Sequence, residues 1–361
     1  MRNFLLVNYV LSVLLLVVPA WADQPSARTA SALAALPDGS LLLFGGLDEE
    51  GNVLGDTWVF SPSKGEAWIE LFPTDAPAPR HGHRMIALPD GTVMMFGGEN
   101  VQAELMNDLH HFTNSMWESE DTTGPLPPVR ADCAMWPNGS LTYIFGGRGE
   151  SGDLDDLWAY DPDAGTWAQK ASASNPAAGA AVGAAATLVY VLGYSGTTPM
   201  YAYENDQWFD MPFGHEDLIL RTMAANAGND CHASLYGGTS LLKDGAVLDD
   251  AWLFDFETAV YTQLADLPFA VTGAAAAIVG EGTEEMVFLF GGELTDGSLN
   301  DTLLAYNVLT DDWDEPDVTD DDDDDDDDSA DDDDNDNDDN DDNDDAVTDD
   351  DDDDNDDGCG C

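Results

Sequence analysis

Basic side chains are scarce: 10 lysines and arginines face 74 aspartates and glutamates, for a formal charge of −64. Setting aside the 29 aspartates of residues 317–357 and Arg2 leaves 45 acids against 9 bases, so residues 23–316 still carry about −36. A nucleic-acid partner needs a basic footprint, and there is none. Adhesion to anionic lipid is disfavoured on the same ground. The excess acid serves solubility, as in a saline setting, or attracts cations and basic partners.

Cysteine is equally sparse, with two of the four at the extreme C-terminus. Cys133 and Cys231 fall in repeats that are not neighbours, too far apart for the short Cα separation a disulfide requires. Two separate buried thiols are expected. Several catalytic signatures are missing: no HExxH metal helix, no GxSxG nucleophile elbow and no phosphate-binding glycine loop. An amphipathic helical period is almost absent too, which argues for an all-β chain.

What is present is a repeat. Six times a short apolar run ends in a glycine pair or its remnant: Phe44-Gly45-Gly46, Phe96-Gly97-Gly98, Phe145-Gly146-Gly147, Leu192-Gly193-Tyr194, Tyr236-Gly237-Gly238 and Phe290-Gly291-Gly292. The first glycines are spaced by 52, 49, 47, 44 and 54 residues, near the length of one four-stranded propeller blade. Pro37-Asp38-Gly39 and Pro89-Asp90-Gly91 read as hairpin turns, proline presetting φ and glycine accepting a positive φ. Downstream, Asp56-Thr57-Trp58-Val59-Phe60, Asp156-Leu157-Trp158-Ala159-Tyr160 and Asp250-Ala251-Trp252-Leu253-Phe254 place two aromatics on one strand face. His110 and Leu304 hold the tryptophan position in the second and sixth copies. A later ring follows in each: Trp68, Trp117, Trp167, Trp208, Tyr261 and Trp313.

On these residues the chain resembles the kelch-repeat family of β-propellers over about residues 28–316. Arg80-His81-Gly82-His83 before Phe96-Gly97-Gly98 looks like the repeat opening of galactose-oxidase-type central domains, with Arg28, Arg130 and Arg221 placed similarly. The resemblance implies an all-β, six-bladed kelch-type β-propeller. It also raises copper radical chemistry, but no Cys–Tyr–His set matches residue by residue. Some exported bacterial six-bladed kelch proteins are sialic-acid mutarotases, which keeps a sugar-modifying enzyme as the alternative to a binding module.

The ends differ from the repeat. Residues 1–22 read as a signal peptide: Arg2, an apolar stretch from Phe4 to Val18, then Ala20-Trp21-Ala22 as the cleavage site. The expected protein is therefore exported, secreted or held at the cell surface, with no direct membrane insertion after cleavage. Residues 317–361 form an aspartate- and asparagine-rich tail that cannot bury enough apolar surface to order itself. It reads as a disordered, hydrated spacer. Its last residues, Gly358-Cys359-Gly360-Cys361, look like the start of a myxobacterial C-terminal sorting signal, so anchoring through Cys359 and Cys361 is an expectation.

Arg80, His81 and His83 form the densest cationic cluster and are candidate ligand-binding residues; the alternative is that Arg80 and His83 anchor a blade edge. Glu99, Arg148, Glu150 and Glu293, at or near the ends of glycine pairs, are the other candidates, with solvated loop residues as the alternative. The post-glycine loops should emerge on one face, where recognition of a protein or glycan is expected. No cofactor is expected beyond a possible Ca²⁺, for which Asp48, Glu50 and Asn52, or Asp153, Asp155 and Asp156, have oxygen-ligand spacing without a full EF-hand loop.

Overall fold

The computed structural model describes residues 24–62, 67–212, 217–229, 231–280, 285–308 and 310–314. The expected signal peptide and aspartate tail lie outside them. The described residues form six four-stranded antiparallel sheets, each built from one continuous stretch of chain. Blade 1 begins with strand Ala32–Ala35, blade 2 with Arg84–Ala87, blade 3 with Ala134–Asn138, blade 4 with Ala181–Ala184, blade 5 with Ala225–Gly228 and blade 6 with Ala275–Val279. These first strands pack side by side around a common axis, and that of blade 1 lies against that of blade 6. The fold is a six-bladed β-propeller. Among the described residues no strand is exchanged between repeats, so packing and hydrogen bonds close the ring.

The second strand of each blade is almost wholly buried, as an apolar strand covered on both faces should be. Leu41 to Phe44 and Val93 to Phe96 are fully enclosed. Trp58 with Phe60, Trp158 with Tyr160, and Trp252 with Phe254 each share a core cluster, as their period of two requires.

The later rings bind neighbouring blades. Each packs on the side chain just before the glycine pair of the preceding blade: Trp117 on Phe44 at 5.3 Å between centroids, Trp167 on Phe96 at 5.3 Å, Trp208 on Phe145 at 4.9 Å and Trp313 on Tyr236 at 5.4 Å. Trp68 of blade 1 completes the circuit on Phe290 of blade 6 at 5.2 Å. Such contacts contribute about 0.5–1.5 kcal/mol each beyond area burial. Between blades 4 and 5 the pair becomes Leu192 and Tyr261, within one cluster.

The glycine pairs have a backbone cause. The second glycine N–H donates to the first residue of the next repeat opening: Gly98 to Arg130 O at 2.9 Å, Gly147 to Ala177 O at 2.7 Å, Gly238 to Val271 O at 2.8 Å and Gly292 to Arg28 O at 2.7 Å. A Cβ on the first glycine would sit against that carbonyl, 2.5 Å from Arg80 O at Gly45 and 2.7 Å from Arg130 O at Gly97. Both glycines of these pairs also have positive φ, which a side chain resists.

Cysteine departs from the expectation in one respect. Cys133 is a buried free thiol, pushed up to about 11 by burial. Cys231, however, is disulfide-bonded rather than a second buried thiol. It lies half-buried at the hairpin end between the first two strands of blade 5.

Candidate functional site

Four repeat openings place an arginine that is at most 1 % exposed. Arg130 shows the pattern: Nε donates to Pro128 O at 3.0 Å, Nη1 to Gly146 O at 2.9 Å, and the two Nη atoms fork onto Asp156 at 2.7 and 2.8 Å. Asp156 Oδ2 also accepts the Trp158 indole N–H at 2.7 Å. Arg28–Asp56–Trp58 and Arg221–Asp250–Trp252 repeat this geometry, and in Arg80–Asp108–His110 the His110 ring replaces the indole at 2.9 Å. Burial would raise the Asp108 carboxyl, but hydrogen bonds from His110 and Arg80 outweigh it and hold the group far below its usual range. Arg80 is thus fully engaged inside blade 2.

Two residues beyond each opening position, the chain turns toward the axis. There Ala30, Gly82, Asp132, Gly179, Met223 and Gly273 all have φ between 54° and 68°. Their amides and carbonyls form a closed circle: Gly82 N to Ala30 O at 2.8 Å, Asp132 to Gly82 at 2.7 Å, Gly179 to Asp132 at 2.8 Å, Met223 to Gly179 at 2.8 Å, Gly273 to Met223 at 2.9 Å and Ala30 to Gly273 at 2.9 Å. This circle surrounds the axis on the side where the post-glycine loops emerge. Beyond it the first strands enclose a channel of about 290 Å³, largely alanine-lined, whose one charged lining residue among those described is Arg84.

At the edge of the circle, blades 2 and 3 bring ionisable groups together. Strand Arg80–His81 pairs with Glu99–Asn100, setting His81 opposite Glu99, and Ala131 bridges to Arg148. Arg148 Nη2 donates to Glu99 Oε2 at 2.6 Å, and its Nε lies 3.6 Å from Asp132 Oδ2. Arg84, behind them, donates to Cys133 O at 2.7 Å. Burial raises the Asp132 carboxyl, opposed by Arg84 and Arg148. Burial also lowers the His81 imidazole, opposed by Glu99 and Asp132. In both groups burial disfavours the charged form.

Of the sequence candidates, the structure therefore brings together His81, Glu99 and Arg148. His83 is buried beneath them, and among the described residues neither of its ring nitrogens has a hydrogen-bond partner. Glu150 is exposed at a hairpin tip, and Glu293 is exposed on blade 6 opposite Thr272. Sequence reasoning missed Asp132. Its signal was being the one acidic residue at a position otherwise held by glycine, alanine or methionine.

Asp48 uses both carboxylate oxygens on Asn52, at 2.7 and 2.9 Å, and Glu50 is exposed beside them. Asp153 pairs with Arg148 across a two-residue hairpin, and the Asp155 carbonyl accepts from Ala173. Among the described residues no three His, Cys, Asp or Glu side chains converge to hold a metal ion. Nor is any helix there long and apolar enough to cross a membrane.

The family model of the KLHDC2/KLHL20/DRC7 Kelch-repeats domain matches residues 30–212, just over half of the chain. The chain belongs to the kelch-repeat family. It is similar to β-scruin of Limulus polyphemus, 28 % identical over 187 residues that cover 48 % of this chain and 19 % of β-scruin. An F-box/kelch-repeat protein of Arabidopsis thaliana is 26 % identical over 134 residues, 34 % of this chain and 28 % of the relative. The flagellar outer-arm dynein α chain of Chlamydomonas reinhardtii is 31 % identical over 147 residues, 38 % of this chain and 3 % of the relative. In each case the match spans less than a third of the relative's length. Kelch-repeat propellers generally act as protein-binding modules.

Proposed function

We propose that this kelch propeller is an exported, surface-displayed or secreted module that binds a protein through the loop face around the axis mouth. The observation that carries this reading is that the post-glycine loops carry both exposed apolar side chains and an ionic cluster. Loop residues Val101, Leu241 and Leu242 are 53, 46 and 69 % exposed, while the Glu99–Arg148–Asp132 cluster lies at the mouth. An apolar anchor beside a polar rim is how recognition surfaces divide affinity from specificity. A glycan is the alternative ligand for the same face. The aspartate tail would hold the propeller away from its anchor, and weak Ca²⁺ association belongs with the acidic loops.

Screening the full chain against protein and glycan arrays tests the reading. Binding that falls at least ten-fold on Leu242→Ser or Arg148→Ala supports it, and binding indifferent to both contradicts it. A second reading rests on Asp132 and His81: proton transfer on a sugar, as in mutarotation. Anomer exchange of a sialic acid followed by NMR, fast with the native chain and slow with Asp132→Asn, would favour it.

A further inference from the structure

The buried arginine unit is lost as a unit. Blades 4 and 6 lack the arginine, and they lack its aspartate and aromatic too: Ala177, Thr197 and Pro199 stand in blade 4, Val271, Thr302 and Leu304 in blade 6. Backbone geometry fixes the equivalence, since Ala177 takes a hydrogen bond from Gly147 at 2.7 Å as Arg130 does from Gly98 at 2.9 Å. Strand register agrees: Tyr190 pairs with Met200, so the next step along the ladder brings Pro199 to Val191, the place where Trp158 stands across from Ile144 in blade 3. Blade 6 repairs its loss: Leu304 is buried, and Asn300 Nδ2 donates to Gly291 O at 3.4 Å, the carbonyl type that arginine serves elsewhere.

Blade 4 does not refill the space. A pocket of about 80 Å³ opens there, lined among others by Ser174, Asn175, Tyr194, Pro199, Trp208 and Asp210. It has aromatic walls, because Tyr194 occupies the second-glycine position and Trp208 is held by its indole N–H on Ala171 O at 2.7 Å. It also has a carboxylate: Asp210 is exposed, and the Thr197 hydroxyl donates to it across 3.3 Å, a long bond that a cationic donor would displace. A cavity of this size, open on one side, admits a small planar head.

We propose that this pocket receives the guanidinium of an arginine on a basic protein partner. The chain shows four times, in blades 1, 2, 3 and 5, that this place in a blade takes an arginine against a carboxylate and a ring. A guanidinium stacks on aromatic faces and forks onto carboxylates better than the compact, strongly hydrated ammonium of lysine. The surrounding excess of 74 acidic over 10 basic residues favours approach of a basic segment. This site is independent of the axis mouth, so Arg148→Ala leaves it unchanged.

The test uses the full chain labelled with fluorotryptophan, the Trp208 resonance assigned by its loss in Trp208→Phe, and blocked Gly-Arg-Gly titrated beside its citrulline and lysine counterparts. The arginine peptide is expected to shift the Trp208 resonance saturably, with citrulline giving no saturation and lysine binding more weakly. Asp210→Asn should weaken the arginine response roughly ten-fold, the loss of one charge-assisted hydrogen bond. The double change Ala177→Arg with Thr197→Asp installs the chain's own arginine and should abolish the response. Equal response to citrulline, a shift spread over all tryptophans, or binding retained in the filled pocket overturns the proposal. Should the filled variant fail to fold, Asp210→Asn and citrulline decide it alone.

Discussion

The amide of Ala30 donates to the carbonyl of Gly273 across 2.9 Å, joining the first repeat to the last. The same bond recurs five more times between successive blades, so the closing joint uses the same chemistry as every other joint. Ala30 sits at φ 54°, where Gly82, Gly179 and Gly273 hold the equivalent places. Ala30→Pro removes the donor and cannot adopt this φ, and it should cost about 3 kcal/mol or more. Ala30→Gly relieves the left-handed strain and should be neutral to stabilising by up to about 1 kcal/mol. Chemical denaturation of both variants checks the pair.

Arg130 and Asp156 should behave as one unit. Arg130→Ala leaves a carboxylate without its partner and is expected to cost about 3–5 kcal/mol. Adding Asp156→Thr, the residue type found at that place in blade 4, should recover part of that loss. A double-mutant cycle measures the coupling, and strict additivity would contradict it.

His83 carries the clearest acid response. Burial, then the neighbouring Arg80 and Arg84, hold its imidazole well below its ordinary value. A depressed histidine binds its proton in the unfolded chain before the folded one, so its contribution is complete above about pH 6.5. Stability should therefore fall as pH drops from that point. His83→Ala, matching Ala224 and Ala274 at the same place in blades 5 and 6, should flatten this dependence. Melting temperatures between pH 7.5 and 5 read it out. His81 and His111 are also lowered by burial, so a shallower slope remains.

Asp132 should trade stability against recognition. Because burial raises its carboxyl, the neutral form suits the fold better than the charged form. Asp132→Asn should raise the melting temperature by about 1–2 °C at pH 7 while weakening binding or catalysis at the mouth. Scanning calorimetry beside a binding assay checks both directions.

Much of the fold was legible because its determinants are local. A glycine pair, a Pro-Asp-Gly turn and aromatics two apart each act within one blade and recur every ~50 residues. Even the joints were partly readable, since Trp68, Trp117 and Trp167 recur shortly after Phe60, Phe112 and Tyr160, the rings of their own blades that they touch. The hydrogen-bonded circle was not legible, because it is made of backbone. Ala30, Asp132 and Met223 conceal the positive φ that Gly82, Gly179 and Gly273 would advertise. The site was legible in half: Glu99 and Arg148 follow their glycine pairs, but their meeting at 2.6 Å depends on the rotation between blades. The pocket of blade 4 was hidden for another reason. It arises from three losses, at residues 177, 197 and 199, that coincide only once strand register is known.

Amide hydrogen exchange at Ala30, Gly82, Asp132, Gly179, Met223 and Gly273 tests the closed propeller most directly. A ring closed by six equivalent joints predicts slow exchange at all six, with Ala30 and Gly273 as protected as Gly82 and Asp132. Rapid exchange at Ala30 and Gly273 beside slow exchange at the other four would show an open ring and contradict the account.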